Sequence, residues 1–127
     1  MTFNTLQSVF DYVYKHLLKQ NCKSIRNDAG GMDGGSGCAY RGDNNTSCAA
    51  GCLIKDEFYS SDFENRPVFH SDVQKSLEDS GVNFSIPNMD SLLAQLQIIH
   101  DSDDVVLWKH SLLNLAKKFN LTFPETF

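Results

Sequence analysis

Three stretches of this chain repeat apolar residues at the 3.6-residue spacing of an α-helix, so its core must be built by burying helix faces. The first carries Leu6, Val9, Phe10, Val13, Leu17 and Leu18, with Gln7, Ser8, Asp11, Lys15 and Lys19 on the other side. Asn4 is the expected cap, with Gln7 three residues on, and the helix is expected to stop near Gln20-Asn21. The second follows Ser85-Ile86-Pro87 and places Met89, Leu92, Leu93, Leu96, Ile99 and His100 on one face. The third is expected to start near Asp103-Asp104 and end near Lys117-Lys118, charges that suit the helix dipole at both ends. Its stripe is Val105, Trp108, Leu112, Leu115, Ala116 and Phe119. A shorter helix opens on the capping pattern Ser71-Asp72-Val73-Gln74 and stops at Gly81. The tail Leu121-Thr122-Phe123-Pro124 is expected to tuck back onto the core.

Residues 38–54 read differently. Gly42-Asp43-Asn44-Asn45 tolerates positive φ in a tight turn, and its flanks predict a small β-hairpin. The second arm is rich in small residues, which also fits the start of a helix. Asp56-Glu57-Phe58-Tyr59 predicts a further helical turn. The expected fold is therefore α+β and mostly helical: about five helices around one core, with a small two-stranded β-hairpin, in a single domain spanning residues 1–127. A chain of 127 residues can bury such a core without disulfides or metal.

Charge narrows the function classes. The net charge is −5, which argues against a general nucleic-acid binder. Residues 1–60 hold six acids and six bases, so the excess acidity belongs to the second half, which is suited to attracting a basic partner. No apolar run approaches the ~20 residues of a membrane span, and Met1-Thr2-Phe3-Asn4 has no secretory character. The expectation is an intracellular protein with reduced cysteines.

Chemistry has few footholds. Residues 27–37 hold five of the eight glycines, but no apolar strand precedes them and no Lys-Ser/Thr follows. Neither a phosphate-binding P-loop nor a dinucleotide fingerprint is met, and the segment reads as a connector or as a loop that folds over a ligand. Cys38, Cys48 and Cys52 with His70 form a conceivable Cys3His zinc set, yet Cys38-x9-Cys48 is not the short pair that zinc sites present. Packing of cysteine as a small hydrophobe is preferred, and no cofactor is expected. A nucleophilic Cys38 or Cys48 would need His100 or His70 as base and Asp101 or Asp72 as orienter. His100 sits on an apolar stripe, however, and side chains at adjacent helix positions diverge by about 100°, so His100 and Asp101 are not expected to pair. Arg41 beside Tyr40 is the best isolated anion-binding candidate, against an alternative in which it pairs with a nearby acid such as Asp43.

The pattern Cys38-x-Tyr40-Arg41, then Cys48-Ala49-x-Gly51-x-Leu53-Ile54-x-Asp56-Glu57, then Leu93-x-x-Leu96-Gln97-x-Ile99-His100-Asp101 with Trp108 shortly after, resembles a group of small proteins encoded by tailed phages and prophages. The resemblance spans nearly the whole chain, departs from the group in the Gly-rich stretch before Cys38, and implies no catalytic residue. It implies a virus-encoded protein in the cytoplasm of a bacterial host, binding a host protein or protein–nucleic-acid complex stoichiometrically, as a counter-defence inhibitor of anti-CRISPR type would. The expected binding residues are Tyr40, Arg41 and Asp43 at the hairpin and Asp101, Asp103 and Asp104 in the acidic half. A nucleotide-like ligand held by Arg41, Tyr40 and the Gly-rich loop is the second reading, and a zinc- or Cys-dependent enzyme the third.

Overall fold

A computed structural model describes residues 2–25, 39–64 and 66–123. Four α-helices carry the fold: α1 (Leu6–Gln20), α2 (Ser71–Asp79), α3 (Met89–Ser102) and α4 (Trp108–Lys118). Single 3-10 turns lie at Asp43–Asn45, Gly51–Leu53, Asp56–Phe58, Ser61–Phe63 and Val105–Leu107. Helices α1, α3 and α4 pack on one another. Their stripes meet in one cluster around Trp108, Phe10, Leu17, Leu93 and Leu96, and α2 adds Val73 and Leu77. No helix among the described residues is long and apolar enough to cross a membrane.

The expected hairpin is absent, and so is the fifth helix. Among the described residues there is no β-strand, only isolated bridges at Phe3 with Val82 and at Arg41 with Ser47. The fold is helical rather than α+β, and the 56–59 segment makes a single 3-10 turn.

The two arms meet over a single rung, with Gly42 N–H donating to Thr46 O and Cys48 N–H to Tyr40 O, and the ladder goes no further. The first arm also bonds along its other edge, Ala39 N–H to Ser24 O and Asp43 N–H to Ile25 O. The N–H groups of Tyr40 and Arg41 go to the Glu64 carboxylate, at 2.9 and 3.2 Å. The second arm, Cys48-Ala49-Ala50-Gly51-Cys52, has no β-branched or large side chain to favour a pleated strand. It coils instead, with Cys52 N–H donating to Cys48 O and Leu53 N–H to Ala50 O. The turn itself forms as expected, with Asn44 at φ 59° and Asn45 at φ 65°.

Helix ends follow local chemistry. Thr5, not Asn4, caps α1, and its hydroxyl accepts from Ser8 N–H in a reciprocal capping box. Asn21 closes the helix in the left-handed region. His70 rather than Ser71 caps α2, its Nδ1 accepting from Asp72 N–H at 3.2 Å. Gly81, at φ 113°, ends that segment. A 3-10 turn takes up Val105–Leu107, so α4 begins only at Trp108. The tail returns to α1: the Gln7 amide donates to Thr122 O and accepts from Thr122 N–H, both at 2.8 Å. Phe123 packs edge-on to Tyr14 with ring centroids 4.8 Å apart.

Candidate functional site

The motif residues meet in a buried polar network at the C-terminal end of α3. His100 is fully buried; its Nε2 accepts from Ser24 N–H at 3.0 Å, and its Nδ1 faces Asp101 Oδ1 at 2.7 Å. Because Nε2 faces a donor, the ring proton belongs on Nδ1. The expected divergence of His100 and Asp101 is thus overturned: Nδ1 sits close to the backbone, and Asp101 folds back toward Gln97 one turn earlier. Gln97 Nε2 donates to the same Asp101 oxygen at 3.1 Å, while Gln97 Oε1 accepts from Ala50 N–H at 3.0 Å. His100 also stacks on Trp108, with centroids 5.5 Å apart. These residues tie residues 22–25 and 48–52 onto α3. They hold the fold together.

The cysteines are equally quiet. Burial pushes the Cys48 thiol up to about 12, and Cys52 is raised well above its ordinary value, first by burial and then by Cys48. Cys48 Sγ accepts from Gly51 N–H, and the Cys52 thiol donates to Ala49 O. Both remain protonated at neutral pH, which removes the thiolate that nucleophilic chemistry requires. Among the described residues no three His, Cys, Asp or Glu side chains converge on a metal position. His70 is occupied as a helix cap, and Cys38 lies outside the described residues, as does the Gly-rich stretch 27–37.

Tyr40 and Arg41 part company. Tyr40 is buried, and its hydroxyl donates to Arg66 O at 2.6 Å. Burial, ahead of nearby negative groups, raises its pKa far above the ordinary phenol value. It packs in the core. Arg41 pairs with Asp56 rather than Asp43. Its Nη2 donates to Ile54 O, its guanidinium lies 4.9 Å over the Tyr59 ring, and its buried Nε–H has no acceptor. Asp43 lies exposed in the 3-10 turn at Asp43–Asn45.

Arg41 forms part of the wall of a cavity of about 490 Å³, in the range of small-ligand pockets. Phe3, Tyr12, His16, Ser47, Cys52, Lys55 and Asp56 line it too. The sequence reading passed over Tyr12, His16 and Lys55. The signal was there: Tyr12 and His16 stand at i and i+4 on α1, so they share a face beside the apolar stripe. His16 Nε2 contacts Ser47 O at 2.8 Å, which places the ring proton there and leaves Nδ1 as the basic nitrogen. Burial, outweighing that carbonyl contact, lowers its pKa, so it is neutral at pH 7.

A second feature is a groove of about 300 Å³ between α3 and α4, lined by Gln95, Ile98, Ile99, Ser111, Asn114, Leu115 and Lys118. Ile98 is 58% exposed, and Leu107, one turn before Ser111 on the same face, is 50% exposed. Val106 beside it is 87% exposed. Three consecutive apolar residues, Val105 to Leu107, cannot all turn inward, and this was the overlooked sequence signal. The three expected acids sit at this corner in different states. Asp101 is engaged by His100 and Gln97, and Asp103 accepts from the Ser111 hydroxyl. The exposed Asp104 carboxylate makes no hydrogen bond among the described residues.

No family, curated protein or solved structure matches the chain. Function must be argued from these sites.

Proposed function

We propose that this chain is a non-enzymatic, phage-type binding protein that docks a segment of a bacterial host protein into the α3–α4 groove. The observation that carries the reading is a set of solvent-facing aliphatics: Ile98 lines a groove that also holds the buried Ile99 and Leu115, and Val106 and Leu107 stand exposed in the turn that leads into α4. Apolar surface grouped in this way, rather than scattered singly, marks interaction sites. Along α4 the lining runs from Ser111 to Lys118, two turns or about 10 Å at 1.5 Å per residue, which suits one face of a short amphipathic helix. Its ends differ in charge: Asp103 and Asp104 lie near one and Lys117 and Lys118 near the other. Such a dipole orients a partner segment that has a basic residue at one end and an acidic residue at the other.

Groove burial, not acidity, supports this reading best. With Asp101 and Asp103 engaged internally, the corner offers little of the charge density that mimicry of a nucleic acid would need. A counter-defence inhibitor acting on a CRISPR-type complex is the specific form of the proposal, and it would work by blocking a protein contact.

The test places a photo-crosslinkable residue at position 106 in the host, identifies the captured protein, and measures its affinity for purified variants. Ile98→Asp and Leu107→Asp change exposed positions, so folding is expected to survive. Each should weaken binding by at least about thirtyfold, the scale of an interface hot spot of 2 kcal/mol. Phe69→Asp, at a residue 72% exposed outside the groove, should leave affinity unchanged. Equal affinities for all three variants would refute the reading. So would a sole crosslink to a second copy of the chain.

A further inference from the structure

The cavity around Arg41 has a chemistry the docking groove does not explain, and the two share no lining residue. In a chain of net charge −5 its lining carries two cations, Arg41 and Lys55, against one carboxylate, Asp56. The Asp56 side chain is 94% exposed, so its pairing with Arg41 is screened by water and weak. The Lys55 ammonium makes no ion pair among the described residues. Arg41 keeps one buried donor, Nε–H, without an acceptor.

The other lining groups are flat. Phe3 and Tyr12 meet edge to face at 5.3 Å, with Tyr12 38% exposed, and His16 follows Tyr12 one turn along α1. Aromatic faces of this kind stack on planar rings with little regard to ring identity. The neutral His16 leaves Nδ1 to accept a hydrogen bond, and the Tyr12 hydroxyl can donate or accept one. The form of the anion follows from Arg41. One hydrogen on each terminal nitrogen is already engaged, by Asp56 and by Ile54 O, so an entering carboxylate meets a guanidinium that already holds a carboxylate and a carbonyl. What remains is a lysine point charge beside a shielded guanidinium, which suits a phosphate.

From this we infer that the cavity binds a small ring-bearing phosphate monoester of nucleoside-monophosphate size, with its phosphate at Lys55 and Arg41 and its ring against Tyr12. The cavity volume leaves room for a ring in addition to a phosphate. Tyr40 does not line this cavity, and its hydroxyl is spent on Arg66 O.

Calorimetric titration of the full chain with the four ribonucleoside 5′-monophosphates tests it, alongside the matching nucleosides and inorganic phosphate. At least one monophosphate should bind with Kd below about 1 mM, and its nucleoside and inorganic phosphate should each bind at least about tenfold more weakly. Lys55→Met should weaken that monophosphate about tenfold without lowering the unfolding midpoint, since the ammonium makes no hydrogen bond or ion pair among the described residues. Tyr12→Leu should weaken the monophosphate and the nucleoside but not inorganic phosphate. Three results would each overturn the inference: no monophosphate binding at several millimolar, inorganic phosphate binding as tightly as the monophosphate, or unchanged affinity in Lys55→Met. None of these outcomes bears on the α3–α4 groove, so the two readings stand or fall separately.

Discussion

His100→Phe isolates what the buried network contributes. Phenylalanine keeps the ring, its approximate volume and the stacking on Trp108, and it removes two hydrogen bonds. The Ser24 N–H, on a residue with no solvent exposure, loses its acceptor. An orphaned buried donor costs about 1–3 kcal/mol. The Asp101 carboxylate loses a donor but keeps the Gln97 amide, and being partly exposed it regains water, so about 1 kcal/mol is a fair cost there. The expected destabilisation is about 2–4 kcal/mol. With an unfolding entropy of about 2.1 cal/mol/K per residue, a chain of this length loses roughly 7–15 °C in Tm. Urea titration and calorimetry measure the cost, and amide exchange locates it: the Ser24 amide should exchange far faster while the centre of α1 stays protected. A loss under about 0.5 kcal/mol, or an unchanged Ser24 amide, would show that the network does not pin residues 22–25.

Three further outcomes test other parts of the structure. Gly51→Ala should destabilise strongly, by about 3 kcal/mol or more, because a Cβ there would lie 2.1 Å from Tyr40 O and the obstacle is backbone, which yields little; near-native stability on denaturant titration would contradict the packing of residues 48–52 against Tyr40. Alkylation at pH 8 followed by peptide mapping should label the exposed Cys22 readily and leave the buried Cys48 intact until the chain unfolds, since burial keeps it a thiol; fast labelling of Cys48 would reverse that assignment. Stability should peak between about pH 7 and 9. On the acid side the unfolded chain protonates His16 at the ordinary value while the folded chain, with its lowered pKa, resists, so stability falls below about pH 6.5 and His16→Gln should flatten that fall. On the alkaline side unfolded cysteine ionises from about pH 9 while Cys48 holds its proton to about 12, so stability falls across that interval, and Cys48→Ala should reduce the slope.

The helices and their buried faces were legible in the sequence because they depend on local chemistry. Apolar residues recurring at 3.6 positions place Val9, Val13 and Leu17, or Leu92 and Leu96, on one side of any helix they form, whatever they later touch. Most helix ends were read to within a residue or so, but α4 starts at Trp108, four residues past Asp104, where a 3-10 turn intervenes. Caps slipped where a neighbour did the job better, as with Thr5 in place of Asn4 and His70 in place of Ser71. The residues of the distinctive motifs were also visible, but their roles were not. Gln97, His100 and Asp101 look like chemistry when spaced along a line, and in space they satisfy the backbone of Ala50 and Ser24.

What only the tertiary structure decided is where long-range hydrogen bonds go. The hairpin failed because Tyr40 and Arg41 found a carboxylate at Glu64 and Ala39 found a carbonyl at Ser24, partners that no window of local sequence contains. The cavity has the same origin. Tyr12 and His16 on the first helix, Arg41 and Lys55 from the following coil, and Phe3 from the N-terminal segment line one wall only after the chain has closed. The sequence by itself determined which faces are apolar and which residues can carry charge. The folded chain decided which polar groups are spent on one another and which are left for a ligand.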